Sequence, residues 1–510
     1  MTAAGPLRRS VLVALVAAVA ITVVSSSYLA IRQAPSGDEV HTLIQTRDAT
    51  LDTWRSAYRR SSVPPAYYLV AWGVGRVAAS VGVSALTLLR TLSILGWATA
   101  SACLGLVIAR RGGGWASVFV AGCVPTASGL VGQSFASRPY GLVMGATAVA
   151  IVAWERSLDR PRLSLALMVG LALVAATSVH YAVVTVVPCF LGAEAVARRR
   201  DPSRTWAFPV LMVAAVTPVL VLQGSIRRSI KEEDALVHFV SPASIPAFYA
   251  SVGRPVFLAS AVVAVAAGLW SVACGGWRRG QARTDRDRPG HCARLLTDRA
   301  LHVRHRPLAV LSLLITFAVP VQVVLIIALT SGDYLHRYAI VALLGLALVA
   351  AGLVLALEQS GSAWPPFAAA AVALAIPLAL ASAQRETPTR HQVHRVAVES
   401  KLEEAAGSLF VYDPYLYGLF LESLPPSVSR RMVLVGPSTV VGMDPAFNLS
   451  DPPASSRVSR RTFLLMDALG LQQQIDRGRV THVHRVGTTR LTYGGTDRPL
   501  VGAMVTLVPA

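Results

Sequence analysis

The chain has 510 residues, of which 54% are hydrophobic and only 15% charged. A mean hydropathy of +0.54 excludes an ordinary soluble protein and predicts an integral membrane protein. The net charge of +20 does not indicate nucleic-acid binding, because the arginines cluster between apolar runs, as in Arg198-Arg199-Arg200. The five cysteines include no CxxC pair and support neither a disulfide framework nor a zinc site.

Apolar stretches follow one another along the first 385 residues. The first, from about 11 to 31, is long for the apolar region of a signal peptide, so we interpret it as an uncleaved anchor. With it, the chain has about twelve candidate spans, which predicts a polytopic α-helical membrane protein with about 11 to 13 transmembrane helices. The further stretches run at about 64 to 82, 89 to 109, 115 to 132, 139 to 154, 163 to 179, 181 to 197, 206 to 223, 256 to 274, 307 to 330, 338 to 357 and 365 to 383.

The positions of the arginines predict the orientation in the plasma membrane, because cytoplasmic loops are rich in Arg and Lys. The N-terminus is then cytoplasmic. Two crossings between 63 and 110 would place Arg110 and Arg111 outside, so either 64 to 82 is partly interfacial or re-entrant, which we favour, or a short span is miscounted. The loops predicted to be cytoplasmic are 1 to 10, 110 to 114, 155 to 162, 198 to 205 and 278 to 306, and those predicted to be outside are 32 to 63, 133 to 138, around 180, 224 to 255 and 331 to 337.

After about Gln384 the composition becomes that of a water-soluble domain. Short apolar runs predict strands at 409 to 412, 432 to 435 and 480 to 486, and helices at 415 to 424 and 462 to 475. The sequence therefore predicts a transmembrane domain over 1 to 385 and a small extracytoplasmic α/β domain over 386 to 510.

Four groups of polar residues fall on the predicted outer face. Taken singly, they have plain structural explanations: a solvated turn, a snorkelling arginine, or aromatic anchors at the membrane surface. Together they supply carboxylates, guanidinium groups, imidazoles and phenols near hydrocarbon, where charge is costly. The groups are Pro35-Ser36-Gly37-Asp38-Glu39-Val40-His41, Gln133-Ser134-Phe135-Ala136-Ser137-Arg138-Pro139-Tyr140, Ser178-Val179-His180-Tyr181 and Asp333-Tyr334-Leu335-His336-Arg337-Tyr338.

This combination suits the transfer of a sugar from a lipid phosphate. A carboxylate can take the proton of an acceptor hydroxyl as general base. Arginine can hold the phosphate leaving group through charge-assisted hydrogen bonds.

The order and spacing of these residues resemble those of GT-C fold glycosyltransferases. The similarity is greatest to the branch of the protein O-mannosyltransferases and the aminoarabinose lipid A transferase, and it covers roughly residues 10 to 385. The elements that carry it are Asp38-Glu39, Pro64-Pro65-Ala66-Tyr67-Tyr68-Leu69, Arg90, Ser137-Arg138-Pro139-Tyr140, His180-Tyr181 and Arg337-Tyr338.

The resemblance implies an inverting enzyme that takes a sugar from a polyprenyl-monophosphate donor and attaches it to a glycan, lipid or protein acceptor on the outer face. Asp38 or Glu39 would be the base, and Arg138 and Arg337 would bind the phosphate. The richness in Ala and Arg resembles actinobacterial proteins, whose enzymes of this kind use mannose or arabinose. The further substrate-binding candidates are Arg90, Tyr67, Tyr140, His180, Tyr181, His336 and Tyr338.

Two positions depart from the family pattern. Relatives often carry an acid shortly before the Arg-Pro-Tyr element, where this chain has Ser134 to Ser137, and a His where this chain has Val63. We therefore predict no cofactor and no essential metal.

A transporter or flippase for a lipid-linked or small solute is the alternative function, and a noncatalytic assembly protein is a third. Transporters commonly place polar residues near the midplane and contain repeated halves. Here the polar groups gather at one face and no repeat is visible, which favours the transferase.

Overall fold

The fold comes from a computed structural model of the full chain. It describes residues 8–36, 39, 42–43, 65–221, 243–278, 291–330, 336–386, 389–399, 409–411, 420, 432–434, 462–467, 476, 480–493 and 496–507.

The described part of residues 8–399 consists mainly of apolar helices. Eight segments are long and apolar enough to cross a membrane, and the shorter helices Leu163–Val179 and Ala207–Val221 are also apolar. Nearly every apolar stretch of the sequence is thus a helix, and the chain is a multi-pass membrane protein. The helices are α1 (Arg9–Arg32), α2 (Pro65–Val81), α3 (Ala85–Arg110), α4 (Trp115–Cys123), α5 (Tyr140–Asp159), α6 (Leu163–Val179), α7 (Val186–Arg200), α8 (Ala207–Ala214), α9 (Thr217–Val221), α10 (Ser244–Arg278), α11 (His291–Thr330), α12 (Ala342–Gln359), α13 (Pro365–Glu386) and α14 (Arg390–Glu399).

Contacts between α1 and α3 define two ends of the helix bundle. Arg90, near the start of α3, reaches the carbonyl of Ala30 near the end of α1, whereas Gly105, near the end of α3, lies against Leu15 in the first half of α1. The two helices are therefore antiparallel. We call the end with the C-terminus of α1 the site end, and the opposite end, where Arg110 lies, the basic end.

Helix α2 explains why Arg110 returns to the same end as the start of α1. Ala71 of α2 packs with Leu86 and Leu89, which lie at the beginning of α3, and with Leu43. Helix α2 has 17 residues and is not among the eight segments able to cross. It thus packs beside the start of α3, at the site end, and the interfacial or re-entrant placement of residues 64 to 82 stays a prediction.

Helices α3 and α5 approach each other through glycines. A Cβ atom on Gly141 would overlap the carbonyl oxygen of Ser93, and one on Gly96 would overlap the carbonyl oxygen of Gly141. This close approach fixes the start of α5, which follows directly after Arg138 and Pro139.

We expect Gly141→Ala to lower the free energy of unfolding by about 1–3 kcal/mol, because the new methyl group must push two backbones apart. Gly352→Ala in α12 is the matched control, since no atom lies within 4 Å of the added Cβ; it should stabilise by about 0.5–1 kcal/mol through helix propensity. Thermal unfolding in detergent measures both changes. Shifts of the same sign would contradict this description of the α3–α5 contact.

Buried ion pairs stabilise the basic end. Glu155 of α5 accepts hydrogen bonds from Arg110 at 3.0 Å and lies 2.7 Å from the Nε of Arg111. Glu194 of α7 pairs with Arg204 at 2.9 Å, and both side chains are about 1% exposed. Several of the arginines that indicate orientation in the sequence therefore also form ion pairs within the protein.

The C-terminal part contains a five-stranded sheet in the order β2-β1-β3-β5-β4. Strand β1 pairs in parallel with β2 and β3, whereas β5 pairs antiparallel with β3 and β4. The strands are β1 (Leu409–Val411), β2 (Met432–Leu434), β3 (Thr462–Asp467), β4 (Val480–Tyr493) and β5 (Thr496–Leu507).

Three predicted strands are confirmed as β1, β2 and β4, but the prediction of a helix from 462 to 475 is wrong over its first part. Residues 462–467 form β3, in the centre of the sheet. Its run Phe463-Leu464-Leu465-Met466 is apolar without interruption, which is equally typical of a strand buried on both faces and of a helix. The predicted helix at 415 to 424 lies outside the described residues except for Phe420, so the α/β class of this domain and its boundary at 385 stay predictions.

Candidate active site

Glu39 is buried, with about 1% of its surface exposed, and its carboxylate accepts hydrogen bonds from four donors. Oε1 accepts from the Nε of Arg90 at 2.9 Å and from the backbone N–H of Ser137 at 2.8 Å. Oε2 accepts from Nη2 of Arg90 at 2.7 Å and from the N–H of Ser36 at 2.9 Å. Four donors thus hold one carboxylate in a fixed position.

Arg90 is buried beside it and uses its whole guanidinium for contacts within the protein. Besides its two bonds to Glu39, Nη1 donates to the carbonyls of Ala30 at 2.6 Å and Gln33 at 3.0 Å, and Nη2 donates to the carbonyl of Ala34 at 3.2 Å. A guanidinium has five N–H donors, and these contacts account for all of them. Arg90 therefore has no donor left for a phosphate group, contrary to the expectation from sequence.

The electrostatics of Glu39 agree with this geometry. Burial raises the pKa of its carboxyl group, but the charge and hydrogen bonds of Arg90, with the N–H groups of Ser36 and Ser137, outweigh burial and hold the pKa below its usual value. The stabilisation from this pair is therefore present above the pKa of an unfolded Glu and is lost only as the pH falls through the lowered value. A carboxylate held in this way is a poor proton acceptor.

The segment that leads to Glu39 is also tied to the start of the C-terminal part. Nε2 of Gln33 donates to the carbonyl of Ala383 at 2.9 Å, and Gln33 forms an isolated antiparallel bridge with Thr389. Asp38 itself lies outside the described residues. Nearby in the chain, Ser36 and Glu39 are joined by two hydrogen bonds to each other, and Glu39 is also bonded to Arg90.

The ring of His180 contacts two tyrosine rings that come from two other segments of the chain. The ring centroid of His180 lies 5.3 Å from that of Tyr140 at the start of α5 and 5.6 Å from that of Tyr338. Nδ1 of His180 accepts a hydrogen bond from the N–H of Ala182 at 3.3 Å. His180 is the capping residue between the end of α6 and the short 3₁₀ helix Tyr181–Thr185. Its backbone and its ring are therefore both fixed.

Arg138 and Arg337, which are far apart in the sequence, both influence the pKa of His180 through their positive charge. Burial, together with the positive charges of Arg138 and Arg337, lowers the pKa of His180 to about 3. His180 is thus neutral at any physiological pH. The structure brings together the two arginines predicted to bind phosphate.

Tyr67 connects this cluster to the Glu39 segment. Its side chain is about 2% exposed, and burial raises the pKa of its phenol, with Arg138 opposing the rise and Glu39 adding to it. Because Ser137 also donates to Glu39, the Arg138 segment lies directly beside Glu39.

The remaining predicted residues lie on the same short elements. Tyr181 belongs to the 3₁₀ helix that follows His180, and His336 begins the 3₁₀ helix His336–Ala339, which also contains Arg337 and Tyr338. The side chain of His336 lies outside the described part of the structure. Within the described ranges, no three His, Cys, Asp or Glu side chains could share a metal ion.

Apart from Ser26, the serines that hold the site together belong to the groups found in the sequence, but the sequence did not predict their partners. Ser134 bonds Ser26 of α1 through their hydroxyl oxygens at 2.7 Å, and Ser137 uses its backbone rather than its side chain toward Glu39. Backbone donors such as those of Ser36 and Ser137 leave no mark in a sequence.

Comparison with known proteins identifies the fold. No protein-family model and no curated protein sequence matches this chain. The crystal structure of ArnT from Cupriavidus metallidurans bound to undecaprenyl phosphate aligns with 96% of this chain and 97% of its own, with a TM-score of 0.52 and 12% identity. The chain has the GT-C fold.

Two further structures are similar to this GT-C chain. The apo state of the same ArnT aligns over 96% of this chain and 97% of its own, with a TM-score of 0.51 and 10% identity. The apo oligosaccharyltransferase of Archaeoglobus fulgidus aligns over 90% of this chain and 69% of its own, with a TM-score of 0.43 and 14% identity. At these identities the alignments with ArnT establish the GT-C fold and nothing finer.

Proposed function

We propose that this protein transfers a sugar from a polyprenyl-monophosphate donor to an acceptor at the outer face of the plasma membrane. The observation that carries the proposal is the convergence of Arg138, His180 and Arg337 beside the segment of Glu39. Two guanidinium groups at the site end of a GT-C fold can bind the negative charge of a lipid phosphate. The neighbouring carboxylate-bearing segment can accept the proton of an acceptor hydroxyl. That the ArnT structure holds undecaprenyl phosphate supports this class of donor.

The proposed reaction is a single displacement. Asp38 takes the proton of the acceptor hydroxyl, the hydroxyl oxygen bonds to the anomeric carbon, and the bond from that carbon to the phosphate oxygen breaks with inversion. The electron pair leaves on the phosphate, whose charge Arg138 and Arg337 stabilise. Polyprenyl phosphate is the second product, and no external oxidant, reductant or metal enters this balance.

Glu39 and Arg90 have a positioning role in this proposal. The carboxylate of Glu39 accepts four hydrogen bonds, so Asp38 is the base of the adjacent pair. The bonds of Arg90 to Ala30, Gln33 and Ala34 hold the chain between α1 and Asp38. The clamp formed by Glu39 and Arg90 thereby presents Asp38 to the acceptor.

The direction in the membrane is also part of the proposal. Arg110, Arg111 and Arg204 all lie at the basic end of the bundle with buried acids, and the positive-inside rule makes that end cytoplasmic. The N-terminus is then cytoplasmic, and the site end and the C-terminal sheet are extracytoplasmic.

Mannose and arabinose are the sugars that we propose, on the resemblance of the sequence. A transporter or flippase gains no support from the described residues, whose buried ion pairs lie at the two ends of the bundle. A glycan, a lipid or a protein segment can each supply the acceptor hydroxyl.

Replacing the phosphate-binding arginines should weaken use of the donor. We expect Arg138→Gln and Arg337→Gln each to lower kcat/KM for the polyprenyl-phosphate sugar by about 10–150-fold, the loss typical of a hydrogen bond to a charged group. Arg198→Gln at the basic end is the control, and it should leave kcat/KM unchanged. Equal losses in all three variants would show a general folding defect instead.

A strain lacking the gene tests the function itself. Polyprenyl-phosphate sugar should accumulate in its membranes, and mass spectrometry should find one envelope glycan or glycoprotein shortened by one type of sugar. Unchanged lipid-linked sugar pools and unchanged envelope glycans would overturn the proposal.

A further inference from the structure

We propose that His180 is a fixed, neutral hydrogen-bond donor that binds a phosphate oxygen of the lipid donor through Nε2–H, and that it is not a general base. The inference rests on the proposed function and specifies the chemistry of one residue in that site. It follows from the contacts of the imidazole ring and from the charges around it.

The hydrogen bond to Nδ1 determines the tautomer of His180. Nδ1 accepts the N–H of Ala182 at 3.3 Å, so its lone pair is in use and its proton is absent. A neutral imidazole with an unprotonated Nδ1 carries its hydrogen on Nε2. His180 therefore offers one donor and has no second lone pair with which to take a proton.

The imidazole ring of His180 has a fixed orientation. Tyr140 and Tyr338 flank the ring at centroid distances of 5.3 Å and 5.6 Å, and the hydrogen bond to Nδ1 prevents a flip of the ring. These three aromatic residues belong to α5, to the turn after α6 and to the 3₁₀ helix after residue 335. The Nε2–H direction is thus set before any substrate binds.

The charges around His180 favour its neutral form. Arg138 and Arg337 both act on His180 and disfavour a positive imidazolium. A neutral donor near two guanidinium groups adds a hydrogen bond without adding a third cation, which suits a phosphate monoester or diester oxygen. A general base at this position would have to become a cation beside two others.

Asn and Gln separate the two nitrogens of His180. An Asn side chain can place its oxygen near the position of Nδ1 and continue to accept from Ala182, but it has nothing at the position of Nε2. A Gln side chain can place its NH₂ group near the position of Nε2 and loses the acceptor for Ala182. His180→Asn therefore retains the turn and removes the donor, and His180→Gln does the reverse.

The test measures two quantities on the purified full chain: the Kd for polyprenyl monophosphate without sugar, by native mass spectrometry, and kcat/KM for transfer. We expect His180→Asn to weaken lipid binding by about tenfold or more and His180→Gln to stay within a few-fold of wild type. The opposite order would assign His180 a purely structural capping role and overturn the inference. Equal lipid binding in both variants, with a loss of kcat alone, would also overturn it.

The two proposals fail in different ways. If wild type binds polyprenyl monophosphate and the variants follow the expected order while no sugar is transferred, the assigned reaction is wrong and the assignment of His180 stands. If wild type transfers sugar and the variants follow the opposite order, the reaction stands and the assignment of His180 is wrong. If wild type does not bind the lipid phosphate, both are wrong.

Discussion

Asp38→Asn should lower sugar transfer by about 10²–10⁴-fold, the contribution typical of a general base, without lowering the amount of protein in the membrane. The amide has nearly the shape of the carboxylate but cannot take the proton of the acceptor hydroxyl. Donor binding should stay close to wild type, because the phosphate is held by Arg138 and Arg337 in the proposed site. Transfer assays and lipid-binding assays on the same preparation separate the two effects.

The control for Asp38 is an aspartate at the other end of the bundle. Asp159, at the end of α5, lies 3.7 Å from Arg110 and is about 34% exposed. Asp159→Asn should leave transfer within a few-fold of wild type, as expected for a partly exposed ion pair. If Asp38→Asn transfers sugar at the wild-type rate, Asp38 is not the base.

Arg90→Lys should lower kcat by about 10–100-fold in the folded protein, because Asp38 is then presented in a looser position and small displacements are costly in catalysis. The substituted ammonium keeps the charge but cannot bond both oxygens of Glu39 and three backbone carbonyls at once. Acceptors without partners should also lower the free energy of unfolding by about 1–3 kcal/mol.

Arg204→Lys is a matched control for this loss of stability. Arg204 bonds both oxygens of Glu194 at 2.9 Å, as Arg90 bonds those of Glu39, and both guanidinium groups are buried. We expect the same order of destabilisation from Arg204→Lys but an unchanged kcat per folded molecule. Thermal unfolding and active-site-normalised rates distinguish them; a loss of kcat in both variants would mean that stability alone explains the effect of Arg90.

Much of the transmembrane fold was predictable because a bilayer leaves few options. Backbone polar groups in hydrocarbon must bond within the segment, so long apolar runs become helices, and the stretches at 139 to 154 and 163 to 179 appear as α5 and α6. The packing of α2 beside the start of α3 agrees with the sequence prediction that Arg110 lies at the same end as the start of α1. The arginines that signal topology are visible in the sequence.

The roles within the site were less accessible. Asp38 and Glu39 are adjacent acids with the same sequence context, and only the four hydrogen bonds to Glu39 separate a structural acid from a candidate base. Arg90 likewise resembled a phosphate ligand until its partners were known. Partners 51 and 98 residues away in sequence follow from helix packing, which no local pattern reports.

Reconstitution tests most directly whether this protein transfers sugar from a polyprenyl-monophosphate donor. Membranes of a strain lacking the gene supply the unmodified acceptor, and purified protein is added with radiolabelled polyprenyl-phosphate mannose or arabinose. Wild type should move the label from the lipid to an envelope glycan or protein, and the Asp38→Asn variant should leave it on the lipid. Label that stays on the lipid with wild type for both sugars, or that moves equally with the variant, would contradict the account.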